Sequence, residues 1–282
     1  MDKIIDGKMI SAQIKDEVKK EAMDLASRGI EPCLAVVQIG DNPASSIYVR
    51  NKHRACQACG IRSLVFRLPE DCSQEDVLAQ VGDLNSRQDV DGILIQLPLP
   101  GHLDRDVIIN AIDPAKDVDG FLPENLGRLV IGEEGFLPCT PAGILELLHR
   151  SNIAIEGKHC LVLGRSNIVG KPVALLMLQE HATVTIAHSR TVNLREMMLA
   201  ADIIIVAVGK ADFVKAADIK EGAVVIDVGI NRMEDGKLQG DVDFSDVIDK
   251  VSAISPVPGG VGPMTIAMLM KNCIRATRTR RG

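Results

Sequence analysis

Two α/β units in tandem, each built on a parallel sheet, are what this sequence predicts. Three observations carry that prediction. Short apolar runs of strand length recur: Cys33-Leu-Ala-Val-Val-Gln-Ile39, Ile61-Arg-Ser-Leu-Val-Phe66 and Gly92-Ile-Leu-Ile-Gln-Leu97, then Cys160–Leu163, Thr183–Ala187, Ile203–Val208 and Ala223–Asp227. Segments of helical spacing alternate with them, and strand–helix–strand order calls for parallel pairing through right-handed crossovers. A length of 282 residues suits about two domains with cores of ordinary size.

Taken in order, the first element is a helix over Lys8–Arg28. Met9, Ile10, Ile14, Val18, Ala22, Met23 and Leu25 recur near helical spacing, and Gly29 stops it. After the strand ending at Ile39, the turn-like Gly40-Asp41-Asn42 leads into a helix over Pro43–Cys59. Pro43 takes a first-turn position, where its missing N–H costs nothing. Ser73 initiates a helix to about Ser86 between the second and third strands. Ile112-Asp-Pro-Ala-Lys-Asp-Val-Asp-Gly-Phe121 reads as an acidic loop. Pro138-Cys-Thr-Pro141 opens a helix to about Arg150, with Thr140 as N-cap, and the domain boundary falls between Pro141 and Arg150. Beyond Gly157, helices are expected to start near Gly170, Asn193 and Lys215. Ala253–Val257 adds a last strand, and Met264–Ala276 a last amphipathic helix.

Composition narrows the function classes. Apolar residues make up 46% and charged residues 25%, the balance of a soluble globular chain. The aliphatic runs fall far short of the roughly 20 residues that a membrane span needs. Met1–Gly7 is neither a secretory signal nor a transit peptide, so a cytoplasmic location without a membrane partner is expected. A net charge of −6 argues against a nucleic-acid surface, and the basic end, Arg275–Arg281, reads as a solvated tail. Seven cysteines without a leader imply reduced thiols. Cys56-Gln-Ala-Cys59 matches C-x-x-C, but it lacks a second ligand pair and sits late in a helix, where no thiolate is activated. The six histidines show no ligand spacing either, and no metal is expected.

The candidate chemistry begins at Tyr48, the single tyrosine of a chain with no tryptophan. Tyr48 and Lys52 are four residues apart and share one helix face; the plain alternative is a surface lysine beside a half-buried tyrosine. Ligands of parallel sheets sit beyond the carboxyl ends of the strands. Two loops leave there, Gly40–Pro43 and Gln96–Gly101, which brings Tyr48, Lys52 and Gln96, with Leu97 and Pro98, to one edge. In the second half, Gly164-Arg-Ser-Asn-Ile-Val-Gly170-Lys-Pro172 turns from a strand into a helix, the setting a dinucleotide pyrophosphate needs. It departs from Gly-x-Gly-x-x-Gly at Ser166 and in the late Gly170, and a plain tight turn is the alternative. The next strand ends in His188-Ser189-Arg190 rather than in the acid that holds an NAD ribose. Ser189 and Arg190 with Arg165 make a cationic, hydroxyl-bearing pocket, so the residues favour NADP over NAD.

Tyr-x-x-x-Lys also belongs to short-chain dehydrogenases, but there the glycine turn precedes the tyrosine in one domain. Here the order is reversed and the motifs fall in different units, which excludes that reading. The full motif set resembles the bifunctional methylenetetrahydrofolate dehydrogenase/methenyltetrahydrofolate cyclohydrolase family. The resemblance rests on Tyr48-x-x-x-Lys52, Gln96-Leu-Pro-Leu-Pro100, Asp113-Pro-x-Lys-Asp-Val-Asp-Gly-Phe121, Pro138-Cys-Thr-Pro141, Gly164–Pro172, Val225-Ile-Asp-Val-Gly-Ile-Asn231 and Pro256-Val-Pro-Gly-Gly-Val-Gly-Pro-Met-Thr265, which together span nearly the whole chain. It implies a tetrahydrofolate-binding catalytic domain over 1–142, joined by the returning helix 264–282. It further implies a Rossmann-type NADP domain over 143–263, an active site in the cleft between the domains, and a homodimer.

What the resemblance implies for the chemistry follows from the two reactions. Hydride loss from the methylene bridge is driven by the neighbouring folate nitrogen and asks the protein for positioning. Adding water to the methenyl carbon and opening the ring needs proton transfers, for which Lys52 is the candidate, as a base when neutral or as a relay. Gln96 would hold Lys52, Tyr48 would lie against the aminobenzoyl ring, and Asp119 would accept paired N–H bonds from the pterin. Pro258, Gly259 and Gly260 would let backbone approach the substrate, and Ile230 would pack at the nicotinamide end. For Asp117 and Asp119 the alternative is a solvated loop acid; Cys139 is expected to pack rather than to attack. The rivals are a monofunctional dehydrogenase, against which Lys52 and Gln96 argue, and a silent nucleotide-binding regulator.

Overall fold

The computed structural model describes residues 3–282; Met1 and Asp2, where the leader reading begins, lie outside them. The chain divides into two compact units. The first comprises Gln13–Leu137 with Ile266–Gly282, and the second comprises the chain up to Ala12 with Pro138–Thr265. The division passes through the first helix, α1 (Gly7–Ser27), and again through the last.

In the first unit β1 (Cys33–Ile39), α2 (Pro43–Cys59), β2 (Arg62–Leu68), α3 (Gln74–Ser86) and β3 (Gly92–Ile95) alternate, and all three strands pair in parallel in the order β2-β1-β3. Central β1 is buried throughout, whereas edge strand β2 alternates between covered and exposed positions. Ala35, Val37, Ile39, Ile93 and Ile95 share a core with Val77, Val81 and Leu84 of α3. Ser73 caps α3 as its sequence position suggests, closing a capping box with Asp76.

The other end of α3 was not legible. Lys116 is only 1% exposed, and its Nζ donates to the carbonyls of Leu84 at 2.8 Å, Asn85 at 2.7 Å and Arg87 at 2.7 Å. A cation thereby satisfies carbonyls that a helix end leaves without partners. Burial pulls this ammonium below the ordinary lysine range. Lys116→Met is expected to lower the unfolding free energy by about 2 kcal/mol, since buried acceptors lose charge-assisted bonds; urea unfolding midpoints would measure it, and an unchanged midpoint would refute the cap.

Two further helices escaped the pattern reading. They are α4 (Arg105–Asn110), capped by Asp104 Oδ1, and α5 (Pro123–Ile131). The acidic loop before α5 is also less solvated than expected. Asp113 caps a single 3-10 turn, Pro114–Lys116, and the buried Asp117 accepts from the N–H of Gly120 at 3.1 Å, Phe121 at 3.3 Å and Leu122 at 2.9 Å, and from Asn125 Nδ2 at 2.8 Å. Asp117 is thus the organiser of its own loop.

The second unit runs through α6 (Cys139–Arg150), β4 (His159–Leu163), α7 (Gly170–Gln179), β5 (Thr183–Ala187), α8 (Leu194–Ala200), β6 (Ile203–Val206), β7 (Val224–Asp227), β8 (Asn231–Arg232), β9 (Leu238–Gln239), α9 (Phe244–Val247), β10 (Ala253–Ile254) and the start of α10 (Val261–Arg281). Its parallel sheet has the order β10-β7-β6-β4-β5, and β8-β9 is a separate antiparallel ribbon. Strands β6 and β7 are buried throughout. Leu161, Leu163, Ile204, Val206, Val225 and Ile254 share a core with Met198 and Val247. Residues 3–5 pair with β10 through Ile5 N–H to Ile254 O at 2.8 Å and Ile254 N–H to Lys3 O at 2.7 Å.

Three local expectations are corrected. Pro138, not Thr140, takes the cap position of α6; the Thr140 hydroxyl instead meets that of Thr265 at 2.9 Å. Near Lys215 only a 3-10 turn forms, Ala216–Asp218, because side chains from elsewhere claim its backbone: Ala216 N–H donates to Asp246 at 2.7 Å and Lys250 Nζ to Ala216 O at 2.7 Å. The basic end is not a solvated tail. Arg280 and Arg281 pair with the fully buried Asp91, Arg278 lies 2.7 Å from Glu21, and Arg275 donates to Gly135 O at 2.9 Å. All seven cysteines are free and buried, and burial pushes the Cys56 thiol up to about 12.

Candidate active site

In both sheets the strand order reverses beside the first strand. The chain passes from β1 to β2 on one side and then to β3 on the other, and likewise from β4 to β5 and then to β6. Crevices beyond the carboxyl ends open at such reversals, because the two connections leave in opposite directions. The predicted site residues can be placed against these two positions.

At the first reversal, Asn42 starts α2: its Oδ1 accepts from Ser45 N–H at 3.1 Å and its carbonyl from Ser46 N–H at 3.0 Å. One turn on, Tyr48 stands 45% exposed, and the half-buried Lys52 follows on the same face. Lys52 Nζ donates to Gln96 Oε1 at 3.0 Å. Gln96 is itself buried and fixed, with its N–H bound to Val37 O at 2.9 Å and its Nε2 to Leu97 O at 2.7 Å. That second bond leaves Oε1 as the end turned to Lys52. Leu97 is half-buried and Pro98 exposed. Asp119 lies half-buried on a neighbouring segment, which an Ile93–Asp117 bridge lays parallel to β3. Val118 packs so tightly there that a Cβ on Gly92 would stand 2.6 Å from its Cγ1. So Lys52 and Gln96 are in contact, and Tyr48 and Asp119 flank the same strand ends.

At the second reversal, Gly164 follows β4 with φ +126°, and a Cβ on it would overlap the Ala207 carbonyl that follows β6. A Cβ on Gly170 would likewise overlap the Gly164 carbonyl. Both glycines are therefore set by close backbone approach, which explains the late second glycine. Ser166 Oγ accepts from the N–H of Val169 and of Gly170, each at 3.2 Å, and so caps α7. Gly164 N–H donates to Ala187 O at 2.9 Å, tying this turn to the end of β5, where Ser189 and Arg190 stand exposed; Arg165 is exposed as well. Ile230 is set apart from them. It leaves β7, two strands from β4, roughly 10 Å away at the usual strand spacing.

Pro258, Gly259 and Gly260 belong to the second unit too. Pro258 is exposed, whereas Gly260 is buried where its carbonyl faces Gly7 of α1. Gly259 has φ +112°. These two glycines thus serve the chain's own packing, whatever else they do.

The sequence reading missed two acids. Asp227 ends β7, is buried, and accepts from the N–H of Gly229, Asp241 and Val242, each at 2.9 Å. Burial pushes its carboxyl up to about 6. Asp241 is fully buried and accepts from the turn after β6. The sequence shows a glycine close to each acid, Gly229 and Gly240, and in the fold the two cross over: a Cβ on Gly229 would overlap the Asp241 carboxylate, and one on Gly240 the Asp227 carboxylate.

Comparison with known proteins bears on both units. Residues 5–119 match the family model described as tetrahydrofolate dehydrogenase/cyclohydrolase, catalytic domain, and residues 138–281 match the NAD(P)-binding domain of the same description. The bifunctional protein FolD of Agathobacter rectalis is 59% identical over 99% of this chain and 100% of its own length. The crystal structure of the Campylobacter jejuni bifunctional enzyme FolD, methylenetetrahydrofolate dehydrogenase/cyclohydrolase, superposes with a TM-score of 0.97 at 51% identity, covering 98% of this chain and 99% of that one. The Trypanosoma brucei methylenetetrahydrofolate dehydrogenase-cyclohydrolase, complexed with NADP cofactor and inhibitor, has a TM-score of 0.93 at 39% identity, covering 99% of this chain and 98% of that one.

Proposed function

The chain belongs to the tetrahydrofolate dehydrogenase/cyclohydrolase family, and from that premise we infer how its residues divide the work. It is a bifunctional enzyme of one-carbon folate metabolism. It oxidises 5,10-methylenetetrahydrofolate to 5,10-methenyltetrahydrofolate with NADP and hydrolyses that product to 10-formyltetrahydrofolate. The observation that carries the division is the Lys52–Gln96 contact at the first strand reversal. A dehydrogenase alone has no use for a positioned proton carrier there.

We assign folate binding to the first unit, where Tyr48 lies against the aminobenzoyl ring and Asp119 accepts from the pterin's amino-pyrimidine edge. Gln96 holds Lys52 in place while Lys52 moves the protons of the hydrolytic step. Leu97 and Pro98 complete the substrate contacts of that unit. The residues of the second unit suit NADP: two glycines admit close backbone approach, and exposed Arg165, Ser189 and Arg190 offer donors at adjoining strand ends. There Gly164 and Ser166 would hold the pyrophosphate, the two arginines and Ser189 the 2′-phosphate, and Ile230 the nicotinamide end. When bound, NADP supplies the hydride acceptor.

We further propose a homodimer, to which edge strand β5 with its exposed Ile186 lends support. No helix among the described residues is long and apolar enough to cross a membrane, and we place the enzyme in the cytoplasm.

The direct test is absorbance of reduced nicotinamide and of methenyl-folate, starting from methylenetetrahydrofolate. Formation of both, then decay of the methenyl band, is expected; reduced nicotinamide with a persistent methenyl band would favour a monofunctional enzyme. Arg165→Ala should lower the NADP-to-NAD ratio of kcat/KM about tenfold or more, the size of a lost charge-assisted bond. An unchanged ratio would remove Arg165 from the 2′-phosphate.

A further inference from the structure

Two buried carboxylates in the second unit are unused by the chemistry above. Asp241 Oδ2 accepts from Val208 N–H at 2.7 Å and Gly209 N–H at 2.8 Å, and Oδ1 from Lys210 N–H at 2.9 Å. Successive amides curled round one anion form a nest, the device that ordinarily receives a ligand's phosphate at a sheet edge. Here the chain's own carboxylate fills it. In a planar trans peptide the carbonyl of one residue opposes the N–H of the next, so the Val208 and Gly209 carbonyls turn away from Asp241, while that of Ala207 packs on Gly164. Such a turn suits a partner bearing hydroxyl or amide donors, and it repels phosphate.

The same carboxylate reaches the segment after β7. Asn231 Nδ2 donates to Asp241 Oδ1 at 2.9 Å, and Gly229 packs directly on the Asp241 carboxylate while its N–H is held by Asp227. Ile230, 50% exposed, is therefore clamped at both neighbours. Asp241 is held in turn, its own N–H and that of Val242 bound to Asp227, whose N–H donates to the buried Ser255 hydroxyl at 2.8 Å.

We propose that Asp241, seated by Asp227, is a positioning residue for the nicotinamide–ribose half of the dinucleotide. It turns the Val208 and Gly209 carbonyls outward as acceptors for ribose hydroxyls and the carboxamide, and it fixes Ile230 as an apolar rest for the ring. This rests on the NADP reading above. The two halves of the ligand are then recognised separately: the phosphates by the β4 and β5 ends, the neutral half by the β6 and β7 ends.

Separate recognition makes the test selective. In the full chain, affinities for NADP and for adenosine 2′,5′-bisphosphate, which lacks the nicotinamide half, are measured by calorimetric titration. Asp241→Asn, which keeps one acceptor oxygen, should weaken NADP about tenfold or more and raise its KM likewise. Binding of the bisphosphate should change less than about twofold, as should cyclohydrolase turnover assayed from methenyl-folate without dinucleotide. Asn231→Ala, which leaves the amide nest on Asp241 intact and removes the Asn231 donations to Asp241 and to Gln239 O, should weaken NADP about threefold and carries the test should Asp241→Asn fail to fold. Equal losses for both ligands would mean a scaffold role and overturn the proposal; so would unchanged NADP affinity in a variant that folds. A wild-type chain that binds neither ligand would instead overturn the NADP reading itself.

Discussion

Lys52→Met is expected to lower cyclohydrolase turnover by roughly 10²–10⁴-fold, the usual size of a general acid–base contribution. Methionine keeps the length and apolar stem of the half-buried side chain but can neither take nor give a proton. The Gln96 amide cannot compensate, since its Nε2 is committed to Leu97 O and its Oε1 only accepts. Hydride transfer asks for geometry alone and should fall by no more than about tenfold. Each activity is assayed from its own substrate, methenyl-folate for hydrolysis and methylenetetrahydrofolate for oxidation. Equal losses in the two would sink the proton-carrier role and leave Lys52 as a binding residue.

Asp91→Ala should be the most destabilising single change in the first unit, costing about 3–5 kcal/mol, as when one partner of a buried ion pair is removed. The carboxylate is 0% exposed, accepts from Cys33 N–H at 2.9 Å and faces the guanidinium groups of Arg280 and Arg281. Its loss strands two cations and an amide near the start of β1. Arg281→Ala should cost clearly less, about 1–2 kcal/mol, because Arg280 still pairs with the acid. Denaturant unfolding of the two variants checks the order. A loss below about 1 kcal/mol for Asp91→Ala would mean that the arginines find water or other partners on its removal.

These two sites mark what a sequence does and does not carry. The central strands of both sheets stood out because a parallel strand covered on both faces is a continuous apolar run, and Ser73 because a cap is a local pattern. Tyr48, Lys52 and Gln96 could be brought to one edge because strand ends alone dictate where their loops begin. Arg275–Arg281 was misread because its partner Asp91 lies 190 residues earlier than Arg281, and no local pattern records a distant pair. Lys116 was invisible because lysine is almost never buried. Short helix α4 hid behind its charges, although Asp104 was a readable cap. Asp227 and Asp241 were missed because a buried acid satisfied by backbone N–H groups spells the same as one in water.

Ser166 shows what such satisfaction means for a hydroxyl. A serine oxygen has two lone pairs and one hydrogen, and here both lone pairs are taken by the N–H groups of Val169 and Gly170. Its polarity is thereby fixed. Ser166 can offer a hydrogen to a visitor but can accept none, so at this turn the chain tells anions from amines before any charge is counted.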